Sequence, residues 1–267
     1  MKYAFLNARL KSRRPDILTK EKLRSILLSR SFADVYKLLN KYNISEQDKS
    51  LFDVNLKLDL ALNSYVHALS PMVRNSNFLS FFLKRYDLFF LLGNIQNNTQ
   101  HVQSYSGQKL EGISRFALST HEISDIERFF GFSINQDLHG KDLQDELVKQ
   151  YYTKLVRLAE TENEYLETVQ LELYLVQKLY KFKVMDLPQR MLEPQKEAEI
   201  LSGDLLATDL RLSSFMEKFT RRLAASDPLG GAVLVNFLYA LEQHFKFVRL
   251  IFASVIKGIN VDFRQLW

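Results

Sequence analysis

The stretch FLSFFLKRYDLFFLLGNI, residues 78–95, decides the fold class of this 267-residue chain. Its apolar residues recur at helical spacings and cover more than one face of a helix, which is typical of a helix at the centre of a fold. Asn75 and Ser76 precede the stretch as N-cap candidates. We therefore predict one central helix from about Asn77 to Asn97.

Charged residues in the middle of this stretch argue against a membrane span. Lys84, Arg85 and Asp87 would lie at mid-depth in a bilayer, where each charge is costly. The N-terminus is charged at Lys2 and Arg9, with no apolar core of roughly 7–15 residues after it. We therefore predict neither a transmembrane helix nor a signal peptide.

Helical periodicity continues on both sides of the stretch. Thr19 and Ser31 favour N-caps, and Ser45-Glu-Gln-Asp is typical of a capping box that opens a long helix ending near Pro71. No segment favours a strand, so the predicted fold class is all-α. The other predicted helices are Tyr3–Lys11, Ser114–Leu118, Thr120–Phe130, Asp142–Ala159, Asn163–Lys183, Leu205–Ala225 and Ala232–Lys257, the last closed by Gly258.

The composition agrees with a helical globular protein. Gly (9) and Pro (5), which turn-rich β-sandwiches and barrels need in number, are scarce, whereas 46% hydrophobic and 25% charged residues are ordinary values. The chain has no cysteine, which excludes disulfides, thiolate metal sites and cysteine nucleophiles. That absence is compatible with a reducing cytoplasm.

Weak internal similarity indicates repeated helical modules. Aromatic residues alternate with a few central polar residues in Phe81–Leu92, Leu173–Phe182 and Phe237–Leu250. Three related modules would explain this pattern, although any three buried helices share it. The polar residues 98–112 are the best predicted boundary. The predicted modules are 1–100, which closes on the C-terminal helices, then 101–190 and 191–267.

No catalytic or metal-binding constellation is found. The five histidines show no His-x-x-x-His spacing, so a zinc site is not expected. The phosphate-binding motifs G-x-x-x-x-G-K-[ST] and G-x-G-x-x-G and the G-x-S-x-G elbow are absent. Asp142 and Asp145 open a helix, where the helix dipole favours acidic residues. We therefore predict no catalytic residue, cofactor or metal, and a chain that is not an enzyme.

Positive charge is concentrated at the N-terminus. Residues 1–30 contain nine Lys/Arg against Asp16 and Glu21, in a chain of net charge +5. Such a cluster fits an acidic protein surface, a nucleic acid or anionic lipid, or only a solvated helical face. The candidate partner-facing residues are Arg9, Lys11, Arg13 and Arg14.

Three short patches carry a family resemblance through their order and spacing. The patches are Tyr3 with Asn7-Ala8-Arg9-Leu10-Lys11; Phe82-Leu83-Lys84-Arg85-Tyr86-Asp87; and Pro228, Gly230, Glu242, Val248-Arg249-Leu250-Ile251 and Gly258. Together they resemble the C-type central-stalk subunit of bacterial and archaeal V/A-type rotary ATPases, the equivalent of the d-type subunit of eukaryotic V-ATPases. The chain departs from that family at His244, where a second acid is expected, and at Phe247, where asparagine is expected. It also looks shorter, and residues 113–190 match poorly.

The resemblance implies a particular architecture and role. Three similar helical modules would surround a pseudo-threefold axis as a funnel, and the chain would couple the rotating shaft to the membrane proteolipid ring. Its partners would be the shaft subunits and that ring, with the chain as a single copy in a hetero-oligomer. It would lie on the cytoplasmic face as a peripheral protein without its own active site.

Four polar residues of the matching patches have two possible roles. They would either form hydrogen bonds within a module, as buried polar groups usually do, or line the socket that receives the shaft. These residues are Tyr86, Asp87, Glu242 and Arg249.

Two other classes of protein stay open on the residues alone. The basic N-terminal residues could serve a helical nucleic-acid-binding or other interaction module. A helical enzyme of unrecognised type would need a deep pocket with perturbed carboxylates or histidines. The resemblance favours the rotary-ATPase subunit, which would not bind nucleic acid.

Overall fold

The computed structural model describes residues 3–13, 17, 20–29, 31–48, 50–73, 75–88, 91–92, 123–135, 137–162, 165–181, 191–201 and 205–259. Within these ranges the chain is mostly helical and contains no strand, so the predicted all-α class is confirmed. The helices are α1 (Ala4–Arg13), α2 (Lys20–Ser29), α3 (Phe32–Leu39), α4 (Leu51–Leu69), α5 (Asn77–Phe82), α6 (Ile123–Phe130), α7 (Gly140–Glu162), α8 (Leu166–Tyr180), α9 (Pro194–Leu201), α10 (Leu205–Ser226) and α11 (Ala232–Ile251). Short 3₁₀ turns occur at Asn40–Tyr42 and Ser70–Val73, and a π-helical turn at Phe252–Ile256.

The chain divides into two compact units. Unit 1 joins the two ends of the sequence, Met1–Met72 and Glu193–Trp267, and unit 2 is Val73–Leu192. The predicted modules 1–100, 101–190 and 191–267, and their pseudo-threefold funnel, stay predictions.

Helix α11 forms the core of unit 1. Most of its residues are buried, including Leu234, Leu238, Leu241 and Phe245 at helical spacings of three and four. It packs against α1, α2, α4 and α10. The helix is therefore apolar on several faces because helices cover it on several sides.

In unit 2, α7 packs against both α5 and α8. Aromatic rings fill the interface: Phe78 and Tyr165 lie parallel with centroids 4.4 Å apart, and Phe81 stacks on Tyr151 at 5.0 Å. Such ring pairs add roughly 0.5–1.5 kcal/mol to the free energy gained by burying their area.

The prediction of one continuous central helix over Asn77–Asn97 is wrong, because the helix is interrupted after Phe82. Helix α5 ends at Phe82, Leu83 and Lys84 form a turn, and residues 85–88 are helical again. The Lys84 amide donates to the Phe81 carbonyl at 3.0 Å, an i to i+3 bond that tightens the chain at this point. Residues 93–97 lie outside the described part of the chain.

The capping box predicted at Ser45 does not open helix α4. Ser45 N donates to Asp48 Oδ2 at 2.8 Å and Asp48 N donates to Ser45 O at 3.0 Å, so the four residues close a separate turn. Lys57 on α4 binds Asp48 Oδ1 at 2.6 Å and holds that turn beside the helix. Helix α4 itself begins at Leu51.

Other predicted helix ends agree with the structure. Ser31 and Ser76 are N-caps that accept from Asp34 N and Leu79 N, and Gly258 has a left-handed φ of 65°. Helix α9 is not among the predicted helices, because Pro194 suggests a break in the pattern, whereas proline is well suited to a first helical position. The Thr19 cap, the Ser114–Leu118 helix and the 98–112 boundary lie outside the described residues.

Candidate functional site

A buried ion pair ties residues 85–88 to α8 in unit 2. Arg85 donates Nη1 to Glu172 Oε2 at 3.2 Å and Nη2 to Glu172 Oε1, and the two side chains are only 5% and 3% exposed. Tyr152 on α7 donates its hydroxyl to the same carboxylate at 3.1 Å. Two desolvated ions are tolerated only when hydrogen bonds of this kind offset the lost hydration.

Asp87 is a second buried acid in unit 2. Its Oδ1 has no hydrogen-bond partner among the described residues. Burial raises the pKa of Asp87 to about 7, although the Lys84 ammonium opposes this increase. Asp87 therefore changes charge near neutral pH while buried. Its neighbour Tyr86 is also buried, and the Arg85 guanidinium lies 6.0 Å from the centroid of the Tyr86 ring.

Two lysines bind the carboxyl end of α6. Lys84 donates to the Phe129 carbonyl, and Lys154 donates to the carbonyls of Phe130 and Gly131 at 2.8 and 2.9 Å. Cations are favoured at this end of a helix because its last carbonyls lack intrahelical partners. Burial lowers the pKa of both lysines. The two lysines thus supply hydrogen bonds to the last carbonyls of α6, and this structural role explains their positions.

The predicted polar residues of α11 lie in unit 1. Arg249 donates Nη2 to Asp59 Oδ1 on α4, where both side chains are half-buried. Glu242 is also half-buried, two helical turns before Arg249 on the same helix. Tyr86 and Asp87 belong to unit 2, so the four predicted residues are divided between the two units.

His244 makes a buried contact that the sequence patterns did not predict. Its Nε2 lies 2.5 Å from the Tyr42 hydroxyl, which joins α11 to the 3₁₀ turn after α3. Burial lowers the pKa of His244 to about 4, and the charge of Lys41 acts in the same direction. The imidazole is therefore neutral at physiological pH.

Asn7 connects the N-terminal and C-terminal patches of the family resemblance. It is buried on α1, and its Nδ2 donates to the carbonyls of Pro228 at 3.2 Å and Gly230 at 3.3 Å. Leu6 and Leu10 are buried on the same helix, whereas Arg9 is exposed. One side of α1 thus packs into unit 1 while Arg9 faces solvent.

The basic candidates are only partly described. Lys11 and Arg13 lie on α1 with side chains outside the description, and Arg14 lies outside the described residues. Unit 1 has 22 Lys/Arg against 16 Asp/Glu, a net charge of +6, whereas unit 2 has 14 against 15, a net charge of −1. The positive charge of the chain therefore resides in unit 1.

Sequence reasoning missed Glu172, Tyr42 and the partner roles of Arg85 and His244. A signal was available for Glu172, because it interrupts the apolar run of α8 between Leu171 and Leu173. A charged residue on a buried helix face needs a partner, but the sequence does not say which one.

The described residues contain neither a metal cluster nor a membrane-spanning helix, and comparison with protein families and curated proteins gives no match. In the described ranges, no group of three or more histidine, aspartate and glutamate residues could hold a metal ion. No described helix combines the length and apolarity required to cross a membrane. No protein-family model matches the chain, and no curated protein matches it significantly.

Proposed function

We propose that this chain is a non-catalytic central-stalk subunit of a V/A-type rotary ATPase, similar to the C-type subunit of that family. It would couple the rotating shaft to the membrane proteolipid ring and so link ATP turnover to ion transport. The proposal includes a peripheral position on the cytoplasmic face of the membrane, held there by the complex.

The observation that carries the proposal is the pairing of two resemblance patches in one unit. Asn7 of the N-terminal patch binds the carbonyls of Pro228 and Gly230 in the C-terminal patch, more than 220 positions away. The two patches on which the family resemblance rests are thus also in contact. This supports reading them as parts of one structural feature rather than as chance matches.

The internal construction also suits a part that transmits force. A coupling subunit needs stiffness, which close-packed helices and directional polar contacts provide. The Arg85–Glu172 pair with Tyr152 fixes three elements of unit 2, and Arg249–Asp59 links α11 to α4 in unit 1. In this proposal Tyr86, Asp87, Glu242 and Arg249 set helix packing, and Arg9, Lys11, Arg13 and Arg14 face a partner.

Co-purification tests the proposal. The tagged full chain, expressed in its source cells and extracted from native membranes in mild detergent, should recover the shaft subunits and the proteolipid ring. A variant with Arg9, Lys11 and Arg13 replaced by glutamate should recover less. A matched control with Lys178, Lys181 and Lys183 of unit 2 replaced by glutamate should recover as much as the wild type. Recovery of neither shaft nor ring by the wild type would refute the proposal.

Coupling is a second readout of the same proposal. A complex purified without this chain should lose ATP-driven ion transport in vesicles while its catalytic subunits still hydrolyse ATP. Adding back the purified chain should restore transport. A nucleic-acid-binding module predicts instead that the free chain shifts a labelled nucleic acid at low salt and releases it as salt rises.

A further inference from the structure

Helix α10 carries a row of basic side chains on the side opposite to α11. The row follows helical spacings of seven and four residues, so its members lie within about 40° of one another around the helix and span about 16 Å along it. Ser213 and Thr220, which bind α11 side chains, lie about 160–180° away. Lys218 and Arg222 are exposed, and Arg211 is half-buried. We refer to Arg211, Lys218 and Arg222 as the α10 basic stripe.

The acidic residues of α10 do not neutralise the α10 basic stripe. Asp209 accepts from Lys246 of α11 at 2.7 Å, and the buried Glu217 accepts from Arg221 at 2.6 Å. These two acids lie about 160° and 120° from Arg211 around the helix, so both are directed away from the stripe. Within the described part of the chain, Lys218 and Arg222 form no hydrogen bond or ion pair. Two exposed cations on one face of α10 are therefore available to a partner.

Helix α9 places a single exposed carboxylate beside the α10 basic stripe. Arg211 donates Nη1 to the Glu199 carbonyl at 2.9 Å, which ties α10 to α9. The Glu199 carboxylate accepts from Lys196 at 2.6 Å. The pKa of Glu199 is lowered first by the hydrogen bond and charge of Lys196, and also by the charges of Lys218 and Arg211. Three cations thus act on one carboxylate, and Arg222 extends the positive charge beyond them, so the surface keeps an excess of positive charge.

The dimensions of the stripe favour one helix of a partner protein over a nucleic acid or a membrane. Carboxylates lie at both of its limits, since Glu199 lies beside Arg211 and the exposed Asp227 follows the end of α10. A long nucleic acid or an anionic lipid layer would extend over both carboxylates and be repelled by them. A partner helix of about 11 residues covers the same 16 Å, approximately, and can place acidic residues at the same spacings of four and seven. The half-buried Phe215 lies on the same face and offers that helix an apolar contact.

We propose that the α10 basic stripe docks an acidic amphipathic helix of a partner protein. Carboxylates on one side of that helix pair with Lys218 and Arg222 and extend towards Arg211, and an apolar residue among them contacts Phe215. The three patches that carry the family resemblance contain none of these residues. The inference therefore goes beyond the proposed function and does not rest on it.

A synthetic helical peptide of defined pattern tests the surface on the full purified chain. The probe peptide carries glutamates at spacings of four and seven on one side, with leucine among them. The control peptide has the same composition with its glutamates spread around the helix. Fluorescence anisotropy should show that the probe binds and that the control binds more weakly by about fivefold or more, because only the probe presents its carboxylates to the stripe together.

Matched variants show whether the stripe itself binds the probe peptide. Lys218→Gln combined with Arg222→Gln should weaken binding about fivefold or more, and added salt should weaken binding to the wild type. Lys37→Gln combined with Lys41→Gln removes the same charge from two exposed lysines, also four residues apart, elsewhere in unit 1, and should have no effect. Glu199→Gln should tighten binding, because it removes the carboxylate beside the stripe. Circular dichroism of each variant should equal that of the wild type, since exposed side chains are changed.

Photocrosslinking in the source cells tests the same surface against natural partners. Benzoylphenylalanine is placed at Ala225, which is exposed on the stripe side of α10, and as a control at the exposed Ala33 of α3. Irradiation should link position 225, but not position 33, to an acidic helical segment of another protein, identified by mass spectrometry. Equal binding of the two peptides, or crosslinks no different from those of position 33, overturn the inference. Binding of a DNA duplex or of phosphatidylglycerol vesicles that depends on Lys218 and Arg222, without binding of the probe peptide, also overturns it.

Discussion

At the residue scale, the most informative groups are charges placed where water is excluded. Arg85 and Glu172 stabilise each other only as a pair, and Tyr152 supplies a further bond to the carboxylate. Asp87 lacks such a partner for Oδ1 among the described residues. The two acids of unit 2 should therefore respond differently to mutation.

Replacing Glu172 by leucine should destabilise unit 2 strongly. The change leaves the Arg85 guanidinium buried without its counter-ion, which costs about 3–5 kcal/mol of unfolding free energy. Urea unfolding followed by circular dichroism measures the loss. The double variant Arg85→Met with Glu172→Leu should recover most of it, because no unpaired charge is left.

The exposed pair between Lys196 and Glu199 on α9 serves as the control for Glu172. Glu199→Gln should leave the unfolding free energy almost unchanged, since water screens the pair. A loss for Glu172→Leu as small as this would show that the buried pair does not form.

Asp87→Asn should stabilise the protein at alkaline pH. The folded-state pKa of about 7 is above the ordinary value of 3.8, so Asp87 contributes its full stability below about pH 4 and loses it as pH rises to 7. At pH 8 the uncharged asparagine should gain up to about 4 kcal/mol over the carboxylate. Urea unfolding at pH 5 and pH 8 should show this difference growing with pH. The gain in unfolding free energy from the exposed Asp137→Asn should not grow with pH. An equal growth for both variants would contradict burial of Asp87 as the cause.

At the element scale, local signals predicted helix ends well where the bonds themselves are local. Ser31 and Ser76 cap helices within three residues, as expected from the sequence. Ser45 did not, because Asp48 is bound by Lys57 from α4, a contact between positions nine apart that a local rule does not contain. The break after Phe82 is of the same kind, since Lys84 is directed to the end of α6.

Ser76→Ala should lower the unfolding free energy more than Ser31→Ala, which removes the other serine cap. Its hydroxyl accepts from Leu79 N at 3.1 Å and donates to Glu162 at the end of α7 at 2.9 Å, so one substitution removes a cap and a contact between helices. We expect a loss of about 2 kcal/mol, against about 1 kcal/mol for Ser31→Ala. Chemical unfolding of both variants measures the difference. Ser12→Ala on the exposed side of α1 should change little, and a Ser76→Ala value equal to that of Ser12→Ala would argue against the contact with Glu162.

At the scale of the whole chain, unit 1 is built from the two ends of the sequence. The sequence predicted an all-α class and a first module that closes on the C-terminal helices, but it did not predict which residues make the contacts. Tyr42 and His244 are separated by 202 positions, and nothing in either local pattern identifies the other. Pairings of this range depend on the packing of α11 against four other helices, which periodicity alone does not determine.

The His244 contact predicts that unit 1 weakens in mild acid. The folded-state pKa of about 4 is below the unfolded value of 6.5, so the stability that neutral His244 contributes is present above about pH 6.5 and is lost as pH falls to 4. The loss should be about 3 kcal/mol. In His244→Gln the midpoint of unfolding should depend less on pH over this range, because glutamine does not titrate. The exposed His139→Gln should keep the wild-type dependence of the unfolding midpoint on pH. If His244→Gln kept that dependence too, His244 would not be the cause of the loss in acid.

Asn7 offers the sharpest test of how the chain ends are held together. Asn7→Asp replaces an amide that donates to two carbonyls with a carboxylate facing the same two oxygens, and its Oδ1 finds no donor among the described residues. The variant should lose about 1–3 kcal/mol of the free energy that holds α1 against the turn at Pro228. Hydrogen exchange of the α1 amides should accelerate by one to two orders of magnitude, since about 1.4 kcal/mol corresponds to a factor of ten. Amides of α8 in unit 2 should exchange as in the wild type. Unchanged exchange in α1 would mean that Leu6 and Leu10 alone hold this helix in place.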